Sequence, residues 1–121
     1  MLVVGIALAG AVGAPVRYLV DGFVRERNDT QLPLGTFAIN VTGSFVLGFL
    51  TGLALYHAFP STPKTILGTG FCGAYTTFST FAYETVRLAE TGATGAALRT
   101  LLASLVVPAL AAAFGLALAA L

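Results

Sequence analysis

Apolar positions along the chain gather into four long blocks separated by three short polar segments. The first block runs from about Leu2 to Val24 and is followed by RERNDTQLP; the second, from about Leu34 to Tyr56, ends in HAFPSTP. The third runs from about Thr65 to Leu88, before AETGATG, and the fourth from about Ala97 to Leu121. Each block is close to the roughly 20 residues that carry a helix across a bilayer core. The ten-residue alternation of a membrane-spanning strand is absent. The pattern predicts an all-α membrane protein, a single transmembrane domain over 1–121 with four transmembrane helices at about 2–24, 34–56, 65–88 and 97–121. Short loops make successive helices antiparallel neighbours, and Pro33, Pro60 and Pro63 mark loop ends, since proline cannot donate to a helix ladder.

Composition narrows the class further. Of 121 residues, 57% are hydrophobic and 9% charged, against about 25% charged in a soluble domain, so no soluble domain fits beside the spans. A net charge of +1 argues against nucleic-acid binding, which needs a basic patch. The single Cys72 excludes an intrachain disulfide and reads as a small buried side chain. The opening MLVVGIALAGAVGAP has no basic residue before Arg17, which predicts a retained first span and not a cleaved signal. Arg25 and Arg27 lie in the first loop, Arg87 and Arg99 flank the third, and Lys64 lies on the opposite side. The positive-inside rule then makes the first and third loops cytoplasmic and puts both termini outside.

Few residues offer chemistry. Gly68 to Gly73 spells GxGxxG, but it enters a span and follows no strand, so it is not a dinucleotide site. The Asn28-Asp29-Thr30 acceptor lies on the expected cytoplasmic side, and His57 has no ligand-type neighbour. No nucleophile is paired with a base, so the chain is not expected to be an enzyme. Thr36, Asn40, Ser44, Gly48 and Gly52 recur every fourth position, as do Gly5, Ala9 and Gly13, a spacing that lets helices approach closely in lipid. Asn40 differs, because an intramembrane amide needs a partner and such groups mark pathways. Arg17 fits either an interfacial snorkel or the wall of a wet vestibule.

The third block carries the densest polar decoration. Gly70 and Gly73 relax the backbone, and Thr76, Thr77, Ser79 and Thr80 compete for its carbonyls. Together they predict a break in the third helix near the midplane. Irregular backbone at that depth is tolerated when it lines a cavity, and freed carbonyls there can hold a cation. Phe78 and Phe81, three apart, are expected on neighbouring lines of one helix face, interleaved with Thr77 and Thr80. Aromatic rings have a positive edge, so ring edges and hydroxyl donors together form a track for a small hydrated anion. The lack of a basic residue at that depth suits rapid release.

The segments GTFAINVTGSFVLG (35–48) and GFCGAYTTFSTFAYE (70–84) closely resemble the two signature segments of the Fluc/CrcB fluoride channels, and GAPVRYL (13–19) resembles that family's first-helix motif. The resemblance covers essentially the whole chain. It implies a dimer of four-helix subunits inserted in opposite orientations in the cell inner (plasma) membrane, with pores that let fluoride leave the cell passively. It implies that Phe78 and Phe81 are the paired pore phenylalanines and that Asn40 is the second-helix asparagine beside them. Thr80 and Ser104 match its polar track, with Thr77 adjoining, and Arg17 matches the vestibule arginine. Gly73 and Thr76 match the residues whose backbone carbonyls bind a structural sodium ion (Na+) between subunits. The chain departs from the pattern at Thr100, where a tyrosine is common, and at Pro108, where a hydroxyl residue is common. Those departures leave a non-conducting or partner-dependent subunit of a heteromer as an alternative. The one-sided charge distribution favours pairing with an oppositely oriented paralogue over self-pairing. A small proton-coupled multidrug exporter is a further alternative; it requires an embedded carboxylate, for which Asp21 and Glu84 are the available residues.

Overall fold

The structure, a computed structural model, describes residues Met1–Leu121 and is all-helical. Helix α1 spans Leu2–Glu26, α2 Leu34–Tyr56 and α6 Thr94–Ala119, and these three are long and apolar enough to cross a membrane unaided. The third block is built in pieces. A short α3 (Ser61–Thr65) runs into a π-helical stretch (Ile66–Cys72) and then α4 (Gly73–Tyr75), and α5 resumes at Ser79–Glu90.

The chain leaves helical geometry at Thr76, which is extended at φ −79° and ψ 160°. Gly70, expected to loosen the helix, lies in the widened π-helical stretch, Gly73 opens α4, and the full interruption falls three residues beyond Gly73. Thr76 shows how the helix ends: its N–H and its Oγ1 both donate to the Cys72 carbonyl, at 2.9 and 2.8 Å. Gly70 serves a different purpose. A Cβ there would stand 2.7 Å from the Ile6 carbonyl and 2.9 Å from Ala9 Cβ, so glycine is what allows α1 to lie directly on the π-helical stretch. The α1 row of small residues meets it from the other side, with Gly13 pressed against the Phe71 carbonyl.

The tightest seam joins α2 to α6. A Cβ on Gly48 would overlap the Ala112 carbonyl, one on Gly115 the Phe45 carbonyl, and one on Gly52 would stand 2.6 Å from Ala119 Cβ. Such approach is the usual source of helix association in lipid. At the end of this seam His57 Nε2 lies 2.8 Å from the Ala119 carbonyl. The α2 row does more than build the seam. Four residues turn a helix through about 400°, so a strict fourfold row drifts about 40° per step and winds nearly halfway round α2 between Thr36 and Gly52. Its start, Thr36, is buried near α1; Asn40 meets the interrupted helix; Ser44 lines a groove; Gly48 and Gly52 face α6.

Only 20 of 121 residues are buried, and Leu19, Leu55, Leu110 and Phe114 are all more than half exposed. Hydrocarbon solvates such surface as well as a protein interior does. Charge collects at one end of the bundle, where Arg25 pairs with Asp21 and Arg27 lies 3.6 Å over the Phe23 ring.

Candidate functional site

The interruption between α4 and α5 opens onto a groove of about 280 Å³ floored by α2 and walled by α6. It brings together Asn40, Thr77, Phe78, Phe81 and Ser104, with Gly73 and Thr76 at its margin. Pro108, inside α6, is buried on the same wall.

Asn40 holds the interruption in place. Its Nδ2 donates to the Thr77 carbonyl at 2.8 Å, and its Oδ1 accepts the Thr77 N–H at 2.9 Å. In a continuous helix that N–H would bond the Gly73 carbonyl; here the carbonyl is left free and Gly73 is exposed. Both arms of the amide are thus engaged, and one N–H is left without a partner in the chain. Thr77 then starts the next helix: its Oγ1 accepts the Thr80 N–H at 3.3 Å and lies 3.1 Å from Thr80 Oγ1. This is the job of an N-terminal capping hydroxyl, which satisfies an amide the helix cannot.

The phenylalanines meet edge to face, centroids 5.5 Å apart and planes at 73°. They do not share one helix face as expected. Phe81 lies within α5 and is 4% exposed, whereas Phe78 precedes the helix and is 72% exposed. The groove is therefore open along Phe78 on the outside of the chain.

Two of the expected residues lie in a neighbouring hollow. Thr80 and Arg17 line a space of about 170 Å³ with Asp21 and Thr36, which shares Thr77 with the groove. Arg17 Nη1 also approaches the Thr76 carbonyl at 3.5 Å. A cation bound by the Gly73 and Thr76 carbonyls fits the donor set in part. Both are neutral oxygens outside the helix ladder, but the second faces a guanidinium, and two oxygens from one chain make an incomplete shell.

One feature of the region escaped the sequence reading. Tyr75 is buried, stacked on Phe71 at 5.6 Å, and bonded through its hydroxyl to Thr42 Oγ1 at 2.8 Å. Since Thr42 donates to the Ala38 carbonyl, the tyrosine is the donor in that pair, and Gly43 leaves room for its ring. The available signal was a tyrosine set directly before the hydroxyl run. Glu84, one of the two carboxylates noted in the sequence, lines a hollow of about 300 Å³ at the charged end of the bundle with the other, Asp21, and with Arg25 and Arg87, its Oε2 buried without a partner.

Long apolar helices, a thin interior and a polar groove cut beside an interrupted helix define an integral, multi-pass membrane protein. A sequence model of the family described as "CrcB-like protein, Camphor Resistance (CrcB)" matches residues 4–116. The chain belongs to the CrcB family, as its signature segments imply. It is 55% identical over 100 residues to "Fluoride-specific ion channel FluC 1" of Leifsonia xyli subsp. xyli, covering 83% of this chain and 73% of that one. It is 46% identical over 118 residues to "Fluoride-specific ion channel FluC 2" of Mycolicibacterium paratuberculosis, covering 98% and 93%. With "Fluoride-specific ion channel FluC" of Methanocaldococcus jannaschii it shares 46% identity over 101 residues, covering 84% and 80%. These relatives are named as channels, not as enzymes.

Proposed function

We propose that the chain is a subunit of a fluoride-selective channel that lets fluoride leave the cell passively across the plasma membrane. One observation carries the reading: a single groove unites the Phe78 and Phe81 rings with the Thr77 and Ser104 hydroxyls and the spare Asn40 amide proton, and no basic side chain lines it. Small anions hold their water tightly. Hydroxyl and amide donors replace part of that shell, and ring edges supply weak positive potential between them. Weak, repeated sites let an ion enter and leave quickly, where a lysine or arginine would trap it.

The open side of the groove supports a second chain as its missing wall, with Phe78 in the contact, and an antiparallel partner supplies the symmetry that this chain lacks internally. Sodium held by the Gly73 and Thr76 carbonyls would add a fixed positive charge between the two interrupted helices. Four carbonyls from two chains make the fuller shell that one chain cannot, provided Arg17 turns from Thr76. Pairing with a paralogue is the second reading. The concentration of Arg25, Arg27, Arg87 and Arg99 at one end, against Lys64 at the other, favours a fixed orientation.

Liposomes holding only this chain test the proposal. Fluoride efflux, with chloride retained, is expected in sodium and lost when sodium is replaced by a large organic cation. Efflux restored only by a second, oppositely oriented chain selects the paralogue reading. Equal passage of chloride would falsify fluoride selectivity.

A further inference from the structure

The groove at the phenylalanine pair has a neighbouring hollow, and Ser104 lines both. This hollow, about 240 Å³, lies between the start of α2 and the first turns of α6, bounded by Leu34, Phe37, Arg99, Thr100, Ala103 and Ser104. Arg99 stands five residues into α6, about 7.5 Å along the axis from its first residue, and is exposed. Alone among the arginines it donates to nothing in the chain. Arg17, Arg25, Arg27 and Arg87 each hold a carbonyl, carboxylate or hydroxyl oxygen, and both ion pairs lie elsewhere.

The three other hollows on this side of the molecule differ in their charges. Those containing Arg17, Arg25 and Arg87 also contain Asp21, and two of them also a glutamate, Glu84 or Glu26. The Arg99 hollow contains no acid, so its positive charge is uncompensated. A cleft lined by one sign of charge with apolar walls concentrates the opposite ion.

We infer that Arg99 gathers small monovalent anions at the mouth of a passage that runs past Thr100 and Ser104 to Phe81. This rests on the channel reading above. Arg99 itself lies outside the donor-lined groove, so it sets how many anions arrive without binding them where they must be released. One unit charge about 6 Å from a path in water raises the local anion concentration about threefold, and salt screens it.

Initial fluoride efflux is compared between the unaltered chain and Arg99→Gln, in liposomes of neutral lipid, at low and at high ionic strength. Arg99→Gln is expected to lower efflux about threefold at low ionic strength, with the gap closing in high salt and Arg99→Lys matching the unaltered chain. Equal rates at low ionic strength overturn the inference, as does a loss that high salt does not remove. A second measurement needs no flux. Ala103→Cys is labelled with anionic and with cationic methanethiosulfonates, and the unaltered chain, whose one cysteine, Cys72, is buried, supplies the background rate. The anionic reagent is expected to react faster, and Arg99→Gln to reduce its advantage about threefold. Absence of reaction from water, or an unmoved preference, overturns the inference. An unaltered chain that passes no fluoride, by itself or with a second, oppositely oriented chain, refutes the channel reading alone, and the labelling still decides the role of Arg99.

Discussion

Replacing Asn40 separates two roles that the sequence merges, holding the interrupted helix and facing the ion. In Asn40→Ala both hydrogen bonds to Thr77, at 2.8 and 2.9 Å, disappear. Each backbone group of Thr77 left without its partner costs about 1–3 kcal/mol. Asn40 and Thr77 are half-buried beside a groove that admits water, so the low end of that range applies and the total for the two groups is about 2 kcal/mol. That shifts the balance between the open turn and a closed helical alternative about thirtyfold. Asn40→Asp keeps an acceptor for the Thr77 N–H but sets an oxygen against the Thr77 carbonyl. It also places a negative charge beside the path, worth about 1–4 kcal/mol against an anion at about 4 Å. Fluoride efflux from liposomes and thermal unfolding in detergent are measured on both variants. Both are expected to lose conduction, with unfolding of Asn40→Ala lowered by several degrees. An Asn40→Ala chain that conducts and unfolds like the original would show that the turn stands without its clamp.

Three further substitutions address the rings and the seam. Phe78→Ile and Phe81→Ile are each expected to lower efflux about tenfold, the equivalent of about 1.4 kcal/mol of ring-edge contact. Only Phe81→Ile is expected to lower the unfolding temperature, because Phe81 is buried and Phe78 is not; unchanged flux in both would remove the rings from the ion path. Gly48→Val drives a side chain into the Ala112 backbone and is expected to cost at least about 3 kcal/mol. Gel filtration of the extracted protein would show aggregation, and a monodisperse peak at the original volume would contradict the seam.

The four apolar blocks made the helices legible in the sequence, since hydrocarbon demands long uninterrupted apolar runs. An interruption in the third was legible too, but its position was not. Glycines at 70 and 73 signal either a flexible backbone or a close neighbour, and sequence alone does not tell the two apart. Contact with α1 decides for the second at Gly70, and the hydroxyl of Thr76 ends the helix instead. The α2 row shows the same limit. Read as a flat stripe, Thr36 to Gly52 shares one neighbour; drifting about 40° per step, it serves several. The pairing of Asn40 with Thr77, 37 residues away, has no local signature, because it depends on where the third block is cut. Tyr75 likewise found its partner only through the placement of Thr42 across the fold.

Proline 108 gives α6 a property of its own. It has no N–H to offer the Ser104 carbonyl one turn earlier, so the helix is weakest in bending just there. On one side of that point α6 is bolted to α2 through Gly48, Gly52 and Gly115; on the other it carries Ser104, Thr100 and Arg99. That half is anchored too, since Ala96, Ala97 and Thr100 are buried and α6 packs on α5 as well as on α2; the missing bond therefore falls between two held segments and leaves the Ser104 carbonyl without its usual helix donor at the edge of the groove.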